Sequence, residues 1–108
     1  MKIVAPRGRD NAETLQIAYN GAPFDFATFG VTKVEVTAGQ TGLIDSTTDA
    51  VSYATDQLTV KFGKLTIPAG VYHDTQIVVY SSAHPSGIVL IGPEMPSTIV
   101  LHVINSPD

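Results

Sequence analysis

The chain predicts an all-β fold, a sandwich or barrel of about seven to eight short strands, and three observations point there. Val, Ile and Thr number 33 of the 108 residues, against 21 for Leu, Lys, Glu, Arg, Gln and Met together. β-Branched side chains lose rotamer freedom on a helix and pack well on a pleated surface, so this ratio favours sheet. Nine Gly and seven Pro are spread along the whole length. No window of about eleven residues free of them keeps an apolar face at the i, i+3, i+4, i+7 spacing of a helix.

The strands follow in order. Glu13–Tyr19 alternates, with Leu15, Ile17 and Tyr19 on one face, and ends at the turn pair Asn20-Gly21. Val31–Thr37 sets Val34 and Val36 against Lys33 and Glu35, so one of its faces is wet. Leu43–Thr47 pairs with it across Gly39-Gln40-Thr41-Gly42, and Val51–Tyr53 is a marginal strand. Leu58–Phe62 alternates again, and Leu65-Thr66-Ile67 follows Gly63. Val71–Tyr80 ends in Ile77-Val78-Val79-Tyr80, a run apolar on both faces and therefore central. Ile88–Ile91 returns from the Ser81–Gly87 loop as a hairpin partner, and Ile99–Ile104 closes the fold. The Asn105–Asp108 tail reads as frayed.

A chain of 108 residues is one domain, with residues 13–105 as the sandwich and residues 1–12 as a flexible arm. The arm holds three of the six basic residues, Lys2, Arg7 and Arg9, around Pro6 and Gly8. Two fates suit such a segment: a solvated leader, or an arm that docks on a neighbouring subunit. The formal charge of −4 lacks the basic footprint of a nucleic-acid binder. The N-terminus shows no secretory apolar stretch, and no apolar run approaches the ~20 residues that cross a bilayer, so no membrane partner is expected. Without cysteine there is no disulfide framework, thiol chemistry or Cys-ligated zinc.

No arrangement of residues points to catalysis. His73-Asp74 with His84 lacks the ligand number and spacing of a zinc site, so no metal or other cofactor is expected. Ser86 lies close to His84, but Pro85-Ser86-Gly87 is turn chemistry without a nucleophile elbow. Asp45 and Asp49 flank Ser46-Thr47-Thr48 like part of a calcium loop, yet no Glu closes it. A hydrolase site could be sketched only from Asp74 and His84.

The aromatic residues give a sharper choice. Phe24, Phe26 and Phe29 crowd the segment after Asn20-Gly21. They either plug one end of the core or anchor a partner, since each ring buries a large area and aromatics dominate interface hot spots. Candidate interface residues are Arg7, Arg9, Phe24, Phe26, Phe29, Tyr72 and His84. A carbohydrate platform built on Tyr72 or Phe29 is the alternative use of the same side chains.

The order of motifs resembles a known family. Asn20-Gly21-Ala22-Pro23-Phe24-Asp25-Phe26 resembles the opening of small domains in tailed-phage virion proteins. The resemblance continues through Val31–Val36, Leu65–Tyr72 and Gln76–Tyr80 to Pro85-Ser86-Gly87-Ile88-Val89. It covers about residues 13–104 and is closest in layout to the N-terminal domain of baseplate upper proteins and related fibre-attachment or head-decoration modules. The resemblance implies an immunoglobulin-like antiparallel β-sandwich that serves as a non-enzymatic structural part of a virion, assembled in the host cytoplasm. Its expected partners are copies of itself, other virion proteins, or both. The family has no catalytic residues to carry over. This chain lacks the coiled-coil or fibre extension of the baseplate proteins, which leaves tail, neck and capsid positions open.

Overall fold

Short runs that alternate apolar and polar side chains, cut by Gly and Pro, can bury one face each only by stacking as sheets. The computed structural model describes residues 1–105 and contains twelve strands among them: β1 (Lys2–Pro6), β2 (Glu13–Gln16), β3 (Ala18–Tyr19), β4 (Ala22–Pro23), β5 (Val31–Ala38), β6 (Gly42–Asp45), β7 (Val51–Ala54), β8 (Gln57–Val60), β9 (Gly70–Tyr72), β10 (Gln76–Ser81), β11 (Ile88–Ile91) and β12 (Val100–Ile104). A one-turn helix, α1 (Phe26–Phe29), and a 3-10 turn over Phe62–Lys64 complete the list.

Two sheets form the sandwich. One has the order β2-β8-β7 and the other β11-β10-β5-β6, all antiparallel. Taken along the chain, these seven strands hold the places of B, C, C′, D, E, F and G in an immunoglobulin sandwich, with B-E-D facing G-F-C-C′. Their inward residues, among them Leu15, Val34, Val36, Val51, Leu58, Val60, Ile77 and Val79, belong to a single buried cluster. The all-β sandwich is therefore the fold, and β10 is central as its apolar run requires.

A third sheet, β1-β12-β9, is an addition to that plan. It supplies Ile3, Ala5, Leu101 and Val103 to the same core, where Phe62, Leu65 and Ile67 meet them. β1 runs parallel to β12, so the sheets are not antiparallel throughout.

The flexible arm over residues 1–12 is corrected by this sheet. Lys2–Pro6 pairs residue for residue with Val100–Ile104, and its Ile3 and Ala5 are buried. The driving force is the alternation Lys-Ile-Val-Ala-Pro, which buries two apolar side chains once β12 offers a ladder. Gly63 lets the following turn come close: a Cβ there would stand 2.2 Å from the Pro6 carbonyl oxygen, and its own carbonyl accepts the Gly8 amide at 2.8 Å.

Other boundaries shift for local reasons. Glu13–Tyr19 is interrupted at Ile17, after which β3 and β4 form a small hairpin around Asn20 (φ 52) and Gly21 (φ 80). Val71–Tyr80 is two strands in different sheets, split where both Asp74 carboxylate oxygens accept the Gly39 amide at 3.0 Å. Leu65-Thr66-Ile67 is no strand, although Leu65 and Ile67 are buried. The segment read as a loop carries α1, capped by Asp25, which accepts the Thr28 amide at 3.0 Å, and stopped by Gly30 at φ 76. Of the expected frayed tail, residues 106–108 lie outside the described residues.

Candidate interaction surface

The three sheets turn very different faces outward. On β2-β8-β7 the outer residues are Thr14, Gln16, Ser52, Gln57 and Thr59, with the Thr14 and Thr59 hydroxyls bonded at 3.1 Å. This face is polar and solvated.

The β11-β10-β5-β6 face is mixed. Lys33 pairs with Glu35 at 3.5 Å and lies over the Tyr80 ring, whose hydroxyl donates to Glu35 at 3.1 Å. Burial, and then the bond to Glu35, pushes the Tyr80 phenol above its usual range. Gly87 closes on Val78 and Tyr80 so tightly that a Cβ would meet Val78 at 2.5 Å. Charge and hydroxyls here already have partners within the chain.

The outer face of β1-β12-β9 is apolar. Val4 lies beside His102, and His102 beside Val71, across the three strands. Val4 is 46% exposed and Val71 55% exposed, while Pro6, Val100, His102 and Ile104 around them are half-buried. β12 reads Val-Leu-His-Val-Ile, apolar on both faces apart from its histidine. A strand of that composition is normally covered on both sides. Inside, Leu101 and Val103 meet the core; outside, nothing in the described residues covers Val100, His102 and Ile104 fully.

The rim of this face is basic. Lys2 projects from it, and Arg7 follows the far end of β1 as an exposed side chain. Neither Lys2 nor Arg7 takes part in an ion pair among the described residues. No Asp or Glu stands on β1, β9 or β12. The carboxylates that face lysines lie further along the Arg7–Asp10 turn, where Asp10 bridges Lys64 at 3.1 Å and Lys61 at 3.9 Å. The Lys64 bond and its charge hold the Asp10 carboxyl below its usual range.

The candidate interface residues do not form one site. Phe24 and Phe26 are buried, so they cannot anchor a partner: Phe26 stacks on Tyr53 with centroids 4.9 Å apart, and Phe24 meets Phe26 edge-on at 5.1 Å. They plug the core end above α1. Phe29 is half-buried, tilted against Phe24 at 4.9 Å and edge-on to His84 at 5.1 Å. Tyr72 is no free platform, because its ring covers Gly39 and its hydroxyl donates to the Pro68 carbonyl at 2.6 Å. Arg7 and Arg9 both lie exposed on the turn after β1. Only Arg7 of the seven borders the apolar face through its strand, while Tyr72 lies at its edge on β9.

The chemical sketches dissolve in the same way. The His84 ring faces Ser81, not Ser86: the Ser81 hydroxyl lies 3.4 Å from Nδ1 and accepts the His84 amide at 3.2 Å. That contact closes the Ser81–Gly87 turn, and Ser81 is buried. Asp74 sits before β10 and His84 after it, roughly 20 Å apart at strand rise. Among the described residues, no three His, Cys, Asp or Glu side chains gather as metal ligands. At Asp45, the Thr47 hydroxyl and then the Thr47 amide donate to the carboxylate and hold its pKa down, so the loop oxygen is spent on the turn.

A shallow hollow of about 340 Å³ lies between Tyr19, Pro23, Phe24, Asp25, Thr28 and Phe29. It joins aromatic edges to a carboxylate and a hydroxyl.

Val4, Val71 and His102, the centre of the apolar face, were not singled out by the sequence. The signal was present in β12, whose outward positions carry no charged residue. It became readable only once Lys2–Pro6 was known to be a strand beside it. No family model, no curated protein and no solved structure matches this chain.

Proposed function

We propose that the chain is a non-enzymatic structural module that assembles with other protein through the outer face of β1-β12-β9. The single observation that carries this reading is the apolar strip Val4–His102–Val71 on a sheet whose strands are apolar on both sides. Transfer of such a face out of water is favourable, at about 25 cal/mol per Å² of apolar surface. The motif order quoted above places this role in a tailed-phage virion, as a tail, baseplate, neck or capsid-decoration part that oligomerises or docks on another virion protein.

The test is incorporation. Particles purified from the producing cells by density gradient carry the tagged chain, whereas the Val4→Asp/Val71→Asp variant, folded by circular dichroism, is left in the soluble fraction. Absence of the wild-type chain from particles, or equal incorporation of the variant, overturns the proposal.

A second reading, carbohydrate binding for recognition of a host surface, is favoured by the hollow at Tyr19, Asp25, Thr28 and Phe29. Aromatic faces beside hydroxyl and carboxylate acceptors suit a sugar ring. Calorimetric titration with host-surface polysaccharides should then give heat that Phe29→Ala abolishes; no heat from the wild-type chain removes this reading.

A further inference from the structure

Building on the assembly reading above, we infer that the partner of the β1-β12-β9 face is a protein surface that is apolar at its centre and bordered by carboxylates, and that it is not the same face of a second copy. Two observations select this occupant. The first is charge. Lys2 projects from the face near one end of β1, Arg7 follows its other end, His102 stands between Val4 and Val71, and the three strands contain no acid.

Face-to-face packing of two copies is isologous, so each rim must be complementary to itself. With positive charge at both ends of β1, every two-fold arrangement brings Lys2 or Arg7 of one copy towards Lys2 or Arg7 of the other. Such like-charge juxtaposition opposes association. A surface with Asp or Glu at its border meets the same two cations favourably.

The second observation is area. Three strands about 4.8 Å apart and at most five residues long present a footprint on the order of 200 Å². A stable interface of standard size buries about 800 Å² on each partner. The apolar strip is therefore the centre of a contact that must extend past its rim. Lys2 and Arg7 lie on that path, where complementary charge sets specificity and association rate.

The experiment immobilises the full chain and selects binders from a random peptide library, in parallel with light scattering on the free chain. The expected peptides alternate apolar residues with Asp or Glu. Their binding is lost in Val4→Asp/Val71→Asp, and falls about tenfold in Lys2→Glu/Arg7→Glu or on raising salt. Should the aspartate variant unfold, Val4→Thr/Val71→Thr keeps the β-branched shape and removes only the apolar groups.

Acid-free peptides that depend on Val4 and Val71, or that bind the charge-reversed variant equally well, overturn the inferred partner chemistry and leave the assembly reading standing. A dimer that Val71→Asp dissociates assigns the face to a second copy, with the same consequence. No enrichment, or enrichment indifferent to the valine substitutions, overturns both.

Discussion

Thr75 shows how one side chain can weaken a core it helps to shape. It is 1% exposed, and its hydroxyl finds no hydrogen-bond partner among the described residues. A buried hydroxyl without a partner carries its desolvation penalty uncompensated, whereas a methyl of the same shape does not. Thr75→Val is therefore expected to stabilise the chain by about 1 kcal/mol, read as a higher urea midpoint at unchanged slope. A lower midpoint would mean that the hydroxyl is satisfied. Asp45 acts in the opposite sense. The Thr47 hydroxyl and amide depress its folded pKa, so its contribution is complete above the ordinary aspartate range. It is lost as pH falls through that depressed folded value. The gap in urea midpoint between wild type and Asp45→Asn should be widest at neutral pH and close in strong acid. A gap that is constant with pH would show that the Thr47 bonds do not couple to folding.

At the scale of elements, β1 separates what local sequence can tell from what it cannot. The alternation in Glu13–Gln16, Val31–Ala38 and Gln57–Val60 marks strands with one dry face, and turn pairs such as Asn20-Gly21 mark where they end. These signals are local, so the sandwich was legible. Lys2–Pro6 gains its ladder from Val100–Ile104, almost a whole chain length away, and Pro6 with Gly8 looks like the composition of a loop. The split at His73–Thr75 is equally non-local, since it depends on where Gly39 meets Asp74. The aromatic segment was legible as a plug, but its division into buried Phe24 and Phe26 and half-buried Phe29 depends on α1. β1 also makes a quantitative prediction. Ile3 is buried beside Leu101, so Ile3→Ala should cost about 2–4 kcal/mol in a denaturant titration, as truncation of a core aliphatic side chain does. A disordered arm would give no change, and would leave the β1 amides unprotected in hydrogen exchange.

Across the whole molecule, the three sheets bury one shared core and differ in what they show to water. Threonine, serine and glutamine cover β2-β8-β7, and an internally paired Lys33–Glu35–Tyr80 group covers β11-β10-β5-β6. Both faces are finished as monomer surface. The β1-β12-β9 face is not, because valine and isoleucine outnumber the polar groups there and its cations lack carboxylate partners among the described residues. This face adds little to folding, since Val4 and Val71 remain about half exposed in the folded chain. Stability and surface chemistry are therefore separable. Val4→Thr/Val71→Thr should leave the urea midpoint within about 0.5 kcal/mol of wild type, as surface substitutions usually do. The same substitutions should abolish the fluorescence of an apolar dye that the native wild-type chain binds at neutral pH. Loss of stability together with loss of dye would identify the valines as core residues. Retained dye fluorescence would place the exposed apolar surface elsewhere, with Leu43 on β6, also about half exposed, as the next position to substitute.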